Sequence, residues 1–341
     1  MSEARRPKAV ALMSGGLDST LAAKLMLMQG VEVIGVNFAG GYCPVFAGNK
    51  TDAEKAAETL GVELVRLPID EDFVAMVRAP KYSRGRNMNP CIDCHILMIR
   101  RAWEYGRTRG AGFVVTGEVL GQRPLSQHRQ ALEIVARRSG TKGLLLRPLS
   151  ARCLEPTEPE QRGLVDREKL LDIKGRSRKR QMALAQEWGI TEYPAPAGGC
   201  LLTDAGYAGR LREAFARGED SVETLELLAI GRHFRLPSGA RLVVGRNRAE
   251  NEELLRRASG NAAVIDATPV PGPLGLLIPD SGHGERLLAA GICARYSDRR
   301  KDARVPVSIA GVRVETTPVT PEAADRLNVD RRLEGQLPHL P

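Results

Sequence analysis

The hexapeptide Ser14-Gly15-Gly16-Leu17-Asp18-Ser19 constrains this chain more than any other stretch. Before it, Lys8 to Met13 is a short apolar run that reads as a strand. After it, Leu21, Leu25 and Met28 recur at helical spacing within Asp18 to Gln29. Strand, tight turn and helix in that order bring exposed backbone N–H groups and the positive end of a helix dipole to one point, which suits an anion. The glycines let that backbone come close to phosphate oxygens. The spacing is neither G-x-x-x-x-G-K-[ST] nor G-x-G-x-x-G, so neither a Walker ATPase nor a nicotinamide enzyme is indicated. A plain βα turn whose glycines serve packing is the alternative reading.

The pattern that follows extends this start into a domain. Val31 to Ala39 reads as a second strand, Asp52 to Leu60 as a helix closed by Gly61, Val62 to Ile69 as a third strand, and Cys91 to Arg109 as a long helix. Phe113 to Thr116 and Leu144 to Leu146 supply two more strands. Strands separated by helices, without hairpin signals, predict an α/β domain whose parallel sheet is covered by helices on both faces, with ligands at the carboxyl ends of its strands. Pro148 to Gly163 reads as a loop and Asp166 to Trp188 as helical. With 341 residues the chain is long enough for two cores. The expected division is residues 1–205 and a smaller α+β domain over residues 206–330, with a helix near Asp220 to Ala229, a hairpin around Ser238-Gly239 and a helix over Arg248 to Ser259.

No apolar run reaches the roughly 18 to 20 residues needed to cross a bilayer, and the N-terminus lacks a signal-peptide pattern. A cytoplasmic protein is expected, and there six cysteines are metal-binding, catalytic or buried rather than a disulfide framework. Asn89-Pro90 reads as a helix start, with Asn as cap and Pro in the first turn. Cys91 and Cys94 then stand i and i+3 on one face of that turn. Such a pair alone is compatible with helix packing or half a zinc site. A third cysteine, Cys200, follows Gly198-Gly199 in a loop that permits close backbone approach. Cys43, Cys153 and Cys293 have no partner at metal spacing, so core packing is expected for each, and His95 is expected to be structural.

The Ser14–Ser19 segment resembles the SGGxDS signature of the PP-loop ATP pyrophosphatases, which cleave ATP to AMP and pyrophosphate. The resemblance implies that Ser14, Gly15, Gly16, Asp18 and Ser19 enclose the pyrophosphate of ATP, with Asp18 a contact to Mg²⁺. It also implies that Asn37 and Phe38 lie near the adenosine and Thr116-Gly117 beside the nucleotide. The stretch Gly117 to Pro124 carries more polar groups than a simple loop needs. In sulfur-inserting members such as the tRNA thiouridine synthetases, one branch uses a two-cysteine relay. Another holds a [4Fe-4S] cluster by a CxxC pair and a distant cysteine, and Cys91, Cys94 and Cys200 match that pattern. Three protein ligands would leave one iron open to take sulfur from a donor such as sulfide or a cysteine desulfurase. Catalytic roles then fall to Asp18, Cys94 and Cys200.

Lys+Arg number 50 against Asp+Glu 41, a formal charge of +9 that favours polyanions. Two basic runs flank the inferred site. Arg84 and Arg86 precede the cysteine helix, and Arg176, Arg178, Lys179 and Arg180 precede a later one; tRNA phosphates are the expected partner, with one uridine flipped out for chemistry. Aromatic residues at 4% argue against a stacking platform for single strands. Arg241 to Asn247, with Glu250-Asn251-Glu252, resembles the NFACT-R RNA-binding module. The chain begins close to the phosphate loop, so RNA recognition is expected from this C-terminal module rather than from an N-terminal THUMP domain. Together these resemblances imply an ATP-dependent tRNA sulfurtransferase making 2-thio- or 4-thiouridine. The alternatives are a PP-loop amide- or nitrile-forming enzyme with structural zinc, and a non-catalytic RNA-binding quality-control factor.

Overall fold

A computed structural model describes residues 6–39, 50–194, 200–258, 260–267 and 271–332, and the chain divides into two compact units, Met1–Gly199 and Cys200–Pro341. The first unit runs β1 (Lys8–Leu12), α1 (Leu17–Met28), β2 (Glu32–Ala39), α2 (Asp52–Leu60), β3 (Glu63–Pro68), α3 (Glu71–Arg78), α4 (Cys91–Thr108), β4 (Phe113–Val115), α5 (Arg129–Arg138), β5 (Leu145–Leu146), α6 (Glu158–Gln161) and α7 (Lys179–Glu187). Its five strands are ordered β3-β2-β1-β4-β5, and every pairing is parallel. The chain winds outward from β1 to one edge, then returns to place β4 on the other side of β1. That reversal opens a crevice above the carboxyl ends of β1 and β4.

The two faces of the sheet show why β4, β5 and the inner positions of β1 are apolar on both sides. Ala9, Ala11, Phe113, Val115 and Leu146 point into one core with Leu17 and Leu21 of α1, Ala56 of α2 and Ala185 of α7. Val10, Val114 and Leu145 point the other way, against Ile92, Ile96 and Ile99 of α4 and Ala131 and Val135 of α5. Side chains alternate along a strand, so a sheet covered twice needs an apolar residue at every position.

The second unit contains α8 (Ala205–Ala216), α9 (Val222–Leu228), β6 (Arg232–Arg235), β7 (Arg241–Val244), α10 (Arg248–Arg256), β8 (Ala263–Asp266), β9 (Leu274–Ile278), α11 (His283–Arg295), β10 (Val305–Ile309), β11 (Val312–Thr316), α12 (Pro321–Leu327) and α13 (Val329–Arg332). Its six strands, ordered β11-β10-β8-β9-β7-β6, pair antiparallel. Its core lies between that sheet and α11. Two arginines on the hairpin are turned inward: Arg235 and Arg241 both reach Glu213 and Glu219 at 2.6–3.0 Å. Among the described residues no helix is long and apolar enough to cross a membrane.

Several local expectations need correction. The Asp166 to Trp188 stretch is helical only at a short 3₁₀ turn, Arg167–Lys169, and in α7. Between them Lys174 pairs with Leu120 and the Gly175 N–H donates to the Leu120 carbonyl at 2.7 Å, so that backbone is used up laterally. The Pro148 to Gly163 loop contains α6, started by a capping box from Thr157 and Glu160. Helices α3, α5 and α8 had no counterpart in the sequence reading.

Gly15 shows how tightly the first turn is built. Its φ is +78°, and a Cβ there would lie 2.2 Å from the carbonyl carbon of Asp52, where α2 begins. Gly30 has a similar φ of +77° but open space around it. Gly15→Ala should therefore cost about 2 kcal/mol or more, from strain and overlap together, and Gly30→Ala about 1 kcal/mol. Urea denaturation of the two variants measures this; equal losses would mean that close approach to α2 is not required.

Candidate functional site

The crevice above β1 and β4 is lined by the Ser14–Ser19 turn and by Thr116-Gly117. Helix α1 is capped by the backbone of Gly16, with no side-chain hydrogen bond to its first turn. Its leading N–H groups are left available. Ser19 Oγ donates to the Gly16 carbonyl at 2.9 Å and lies 3.3 Å from Ser14 Oγ, which folds the turn back on itself. Asn37 Nδ2 donates to the Met13 carbonyl at 2.8 Å and pins the end of β1 to β2, while Phe38 packs against Phe73 at 5.7 Å between ring centroids. From the other side, a Cβ on Gly117 would lie 2.5 Å from the carbonyl carbon of Asp18 and the nitrogen of Ser19. Only glycine lets the segment after β4 touch the Ser14–Ser19 turn so closely.

Asp18 is held by a side chain from that same segment. Gln122 Nε2 donates to Asp18 Oδ2 at 2.7 Å, and Gln181 Nε2 of α7 donates to Gln122 Oε1 at 3.1 Å. The other carboxylate oxygen of Asp18 is buried with no hydrogen-bond partner among the described residues. Sequence reasoning noted the polar richness of Gly117 to Pro124 but missed Gln181, which no local pattern distinguishes from an ordinary helix position.

Cys91 and Cys94 occupy the first turn of α4, both partly exposed. The expected cap is corrected here: Pro90 is the N-cap, with no side-chain cap bond, and the Asn89 amide instead donates to Cys91 Sγ at 3.3 Å. Asp93, between the cysteines, accepts the backbone N–H groups of Lys81 and Tyr82, each at 3.0 Å, and so ties the basic run to the helix start. Within that run Arg84 donates to the carbonyls of Val77 and Arg78, which closes the end of α3, while Arg86 is exposed. Soft sulfur donors at a helix start with an amide aimed at one of them suit an iron–sulfur cluster or zinc.

His95 joins the cysteine helix to the segment after β4. Its Nδ1 lies 2.8 Å from Glu118 Oε1, and Glu118 directly follows Thr116-Gly117. The other oxygen of Glu118 accepts from Arg147 Nε at 2.8 Å and from Thr116 Oγ1 at 3.0 Å. Burial alone would raise the Glu118 pKa, but Arg147 and His95 overcome it and hold the carboxyl at about 2. The start of α4 and the end of β4 are therefore one assembly.

Cys200 opens the second unit as the cap of a short 3₁₀ turn, Leu201–Thr203, and its carbonyl accepts from Thr203 Oγ1 at 2.7 Å. Among the described residues no three His, Cys, Asp or Glu side chains gather around a metal-sized point. Cys293 is a core residue, its thiol pushed up to about 12 by burial. Cys153 is not in the core; it is partly exposed and donates to the Asp172 carbonyl at 3.3 Å. Cys43 lies outside the described residues. Of the later basic run, Arg176, Lys179 and Arg180 are exposed and Arg178 is half-buried, and Arg180 pairs with Asp172 at 2.8 Å. The Lys174–Leu120 pairing and the Gln181–Gln122 bond place this run beside the segment that holds Asp18. The formal excess of +9 lies almost wholly before Cys200. In the second unit many arginines pair with acids of the same unit, Arg246 with Glu250 and Arg257 with Glu253 among them, and Arg235 and Arg241 are buried in doing so.

A parallel sheet with a glycine turn after β1 and a Thr-Gly segment pressed against it after β4, followed by a separate antiparallel α+β unit, defines a two-domain protein with a PP-loop α/β domain at its head. Residues 5–152 match the family described as Thiamine biosynthesis protein (ThiI), and residues 231–329 match the NFACT protein RNA binding domain. The first match lies within the first unit and the second within the second unit. The chain is 37% identical over 106 residues to the tRNA-specific 2-thiouridylase MnmA of Carboxydothermus hydrogenoformans, covering 26% of this chain and 28% of that protein. It is 27% identical over 202 residues to a probable tRNA sulfurtransferase of Methanosarcina mazei, covering 49% and 48%. The chain spans less than half the length of either relative. Among solved structures, a 4-thiouridine synthetase–RNA complex with bound ATP overlays with TM-score 0.33 at 21% identity, covering 55% of this chain and 54% of that one. The U34-tRNA thiolase NcsA of Methanococcus maripaludis with its [4Fe-4S] cluster overlays with TM-score 0.32 at 14% identity, covering 66% and 70%.

The Glu118 node makes a prediction about stability. Arg147→Met would leave a buried carboxylate short of its main partner and should cost about 3–5 kcal/mol. Because the folded pKa lies below the usual 4.5, the contribution of Glu118 is complete above that pH and is lost as pH falls toward about 2. Denaturation between pH 7 and pH 2.5 should show the gap between wild type and Arg147→Met narrowing in acid; a gap independent of pH would contradict the assignment.

Proposed function

We propose that the chain is an ATP-dependent tRNA sulfurtransferase, which activates a uridine carbonyl oxygen with AMP and replaces it with sulfur. The observation that carries this reading is the His95–Glu118 contact at 2.8 Å. It sets the residue after Cys94 against the residue after Gly117, so a sulfur-handling helix start adjoins a phosphate turn. Mg-ATP would lie along the Ser14–Ser19 turn, with Asp18 toward the metal, Asn37 and Phe38 toward the adenosine and Thr116-Gly117 alongside. The uridine oxygen attacks the α-phosphorus and pyrophosphate leaves; in a second step sulfur attacks the same ring carbon and AMP departs with the oxygen. Catalysis of the first step is positioning and charge stabilisation by N–H groups and the bound cation.

Cys91, Cys94 and Cys200 would hold a [4Fe-4S] cluster, which would supply a binding place for a hydrosulfide nucleophile; sulfide is already at that oxidation level, and persulfide sulfur from a desulfurase would reach it with a two-electron thiol reductant. The protein's own part is to present the first two sulfurs at the start of α4 with Asn89 beside one of them. For RNA, the charge distribution favours the first domain: exposed Arg176, Lys179 and Arg180 stand beside the segment holding Asp18, whereas Arg235 and Arg241 of the second domain are consumed internally. The NFACT-R-like domain would then read RNA shape through other residues and add less to the salt dependence.

Asp18→Ala should lower AMP and pyrophosphate release at least about 10²-fold with the fold intact; undiminished release would refute the loop assignment. Protein prepared without oxygen should be brown, and Cys91→Ala, Cys94→Ala and Cys200→Ala should each lose iron and thiolated product while still binding ATP. A colourless, iron-free protein with full thiolation activity would exclude the cluster, and a Cys91→Ala variant that keeps activity would point to a two-cysteine relay. Replacing Arg176, Lys179 and Arg180 together by Ala should flatten the slope of log affinity for tRNA against log salt by about two. An unchanged slope would remove this run from the interface.

A further inference from the structure

The two glutamines behind Asp18 form a chain whose direction is set by chemistry. A carboxylate only accepts, so the contact at 2.7 Å requires Gln122 to present its NH₂ to Asp18. The carbonyl oxygen of Gln122 then faces Gln181, which must present its own NH₂ across 3.1 Å. Gln181 is fully buried, an expensive place for a primary amide unless it is bonded. One oxygen of Gln181 at one end, and Asp18 Oδ1 at the other, are buried without a partner among the described residues. The backbone holds the same alignment: Gly121, before Gln122, lies against Gly175, and the Gly175 N–H donates to Leu120. Ser150 Oγ bridges the two segments, accepting from the Leu120 N–H at 2.9 Å and donating to the Ile173 carbonyl at 2.6 Å.

We infer that Gln122 and Gln181 are positioning residues: a polarised pair of amides that occupies Asp18 Oδ2 and leaves Oδ1 aimed at a magnesium–phosphate ligand in the turn. This rests on the ATP-cleaving reading of the site, and it adds a named cause for how the carboxylate is oriented. A packing role for the same glutamines would require only their volume. The relay requires their polarity, and the two differ in outcome.

Two measurements on the full chain separate them. In the first, AMP formation from ATP is followed against Mg²⁺ concentration. Gln122→Met and Gln181→Met keep the volume, and both should raise the Mg²⁺ needed for half-maximal rate, Gln122→Met about tenfold and Gln181→Met less, with a smaller change in the rate at saturating Mg²⁺. Unchanged Mg²⁺ dependence in both would overturn the inference. The second measurement is a melting cycle that needs no turnover. Gln181→Glu reverses the chain, because an acceptor at 181 turns the Gln122 amide and sets its oxygen against Asp18. Asp18→Asn supplies a donor at the far end, so the double variant should melt above Gln181→Glu alone, the hydrogen bonds between residues 18 and 181 running through Gln122. Strict additivity of the melting shifts would overturn the relay. A wild-type protein that forms no AMP but shows this coupling would overturn the sulfurtransferase reading and leave the relay standing.

Discussion

The buried carboxylate of Glu118 is the contact on which the first domain's crevice depends. It takes hydrogen bonds from Thr116, Arg147 and His95, and Arg147 passes on to the carbonyl of Leu132 in α5 at 2.9 Å. One charge thereby joins the end of β4, the residue after β5, the start of α4 and helix α5. A buried ion held by several donors is costly to break, because any one loss leaves charge uncompensated in a low-dielectric setting. This ties the segment after β4, which touches the Ser14–Ser19 turn, to the start of the helix that carries the cysteine pair.

The second domain uses the same kind of arrangement for a different purpose. Arg235 and Arg241 sit on adjacent strands of a hairpin and face Glu213 and Glu219 from and just beyond α8. Burial opposes the charged forms, yet the paired guanidiniums hold both carboxyls below their ordinary range. His233 beside them is kept neutral by burial, with the neighbouring guanidiniums acting in the same direction. These arginines organise a core, and the net positive character of the molecule is therefore a property of the first domain. An RNA backbone binds through phosphates, so charge that is already spent inside contributes little to it.

The strand, turn and helix around Ser14 to Ser19 were legible because their signals are local: a short apolar run, two glycines, then helical spacing. The same holds for the antiparallel hairpin around Ser238-Gly239. Helices α3 and α5 were missed because they are short, eight and ten residues, and their apolar positions, such as Phe73, Val74 and Val77, gain meaning only against a neighbour. The cap of α4 was misplaced by one residue: the Cys94 N–H donates to the Pro90 carbonyl at 2.9 Å, so the helix starts from Pro90, which has no side-chain oxygen to cap it. Arg84 looked like free surface charge and closes a helix end; nothing in a run of basic residues distinguishes the two uses.

By itself the sequence determined the fold class, the place of the glycine turn between β1 and α1 and the pairing of Cys91 with Cys94 on one helical turn, since each follows from residue type and spacing along the chain. Tertiary structure alone decided which side chains complete the site. Gln122 meets Asp18 across 104 positions and Gln181 meets Gln122 across 59, while Arg147 reaches Glu118 across 29. Hydrogen bonds act over about 3 Å and leave no periodic trace along a chain. Their partners become visible only once the sheet has brought distant segments to one end.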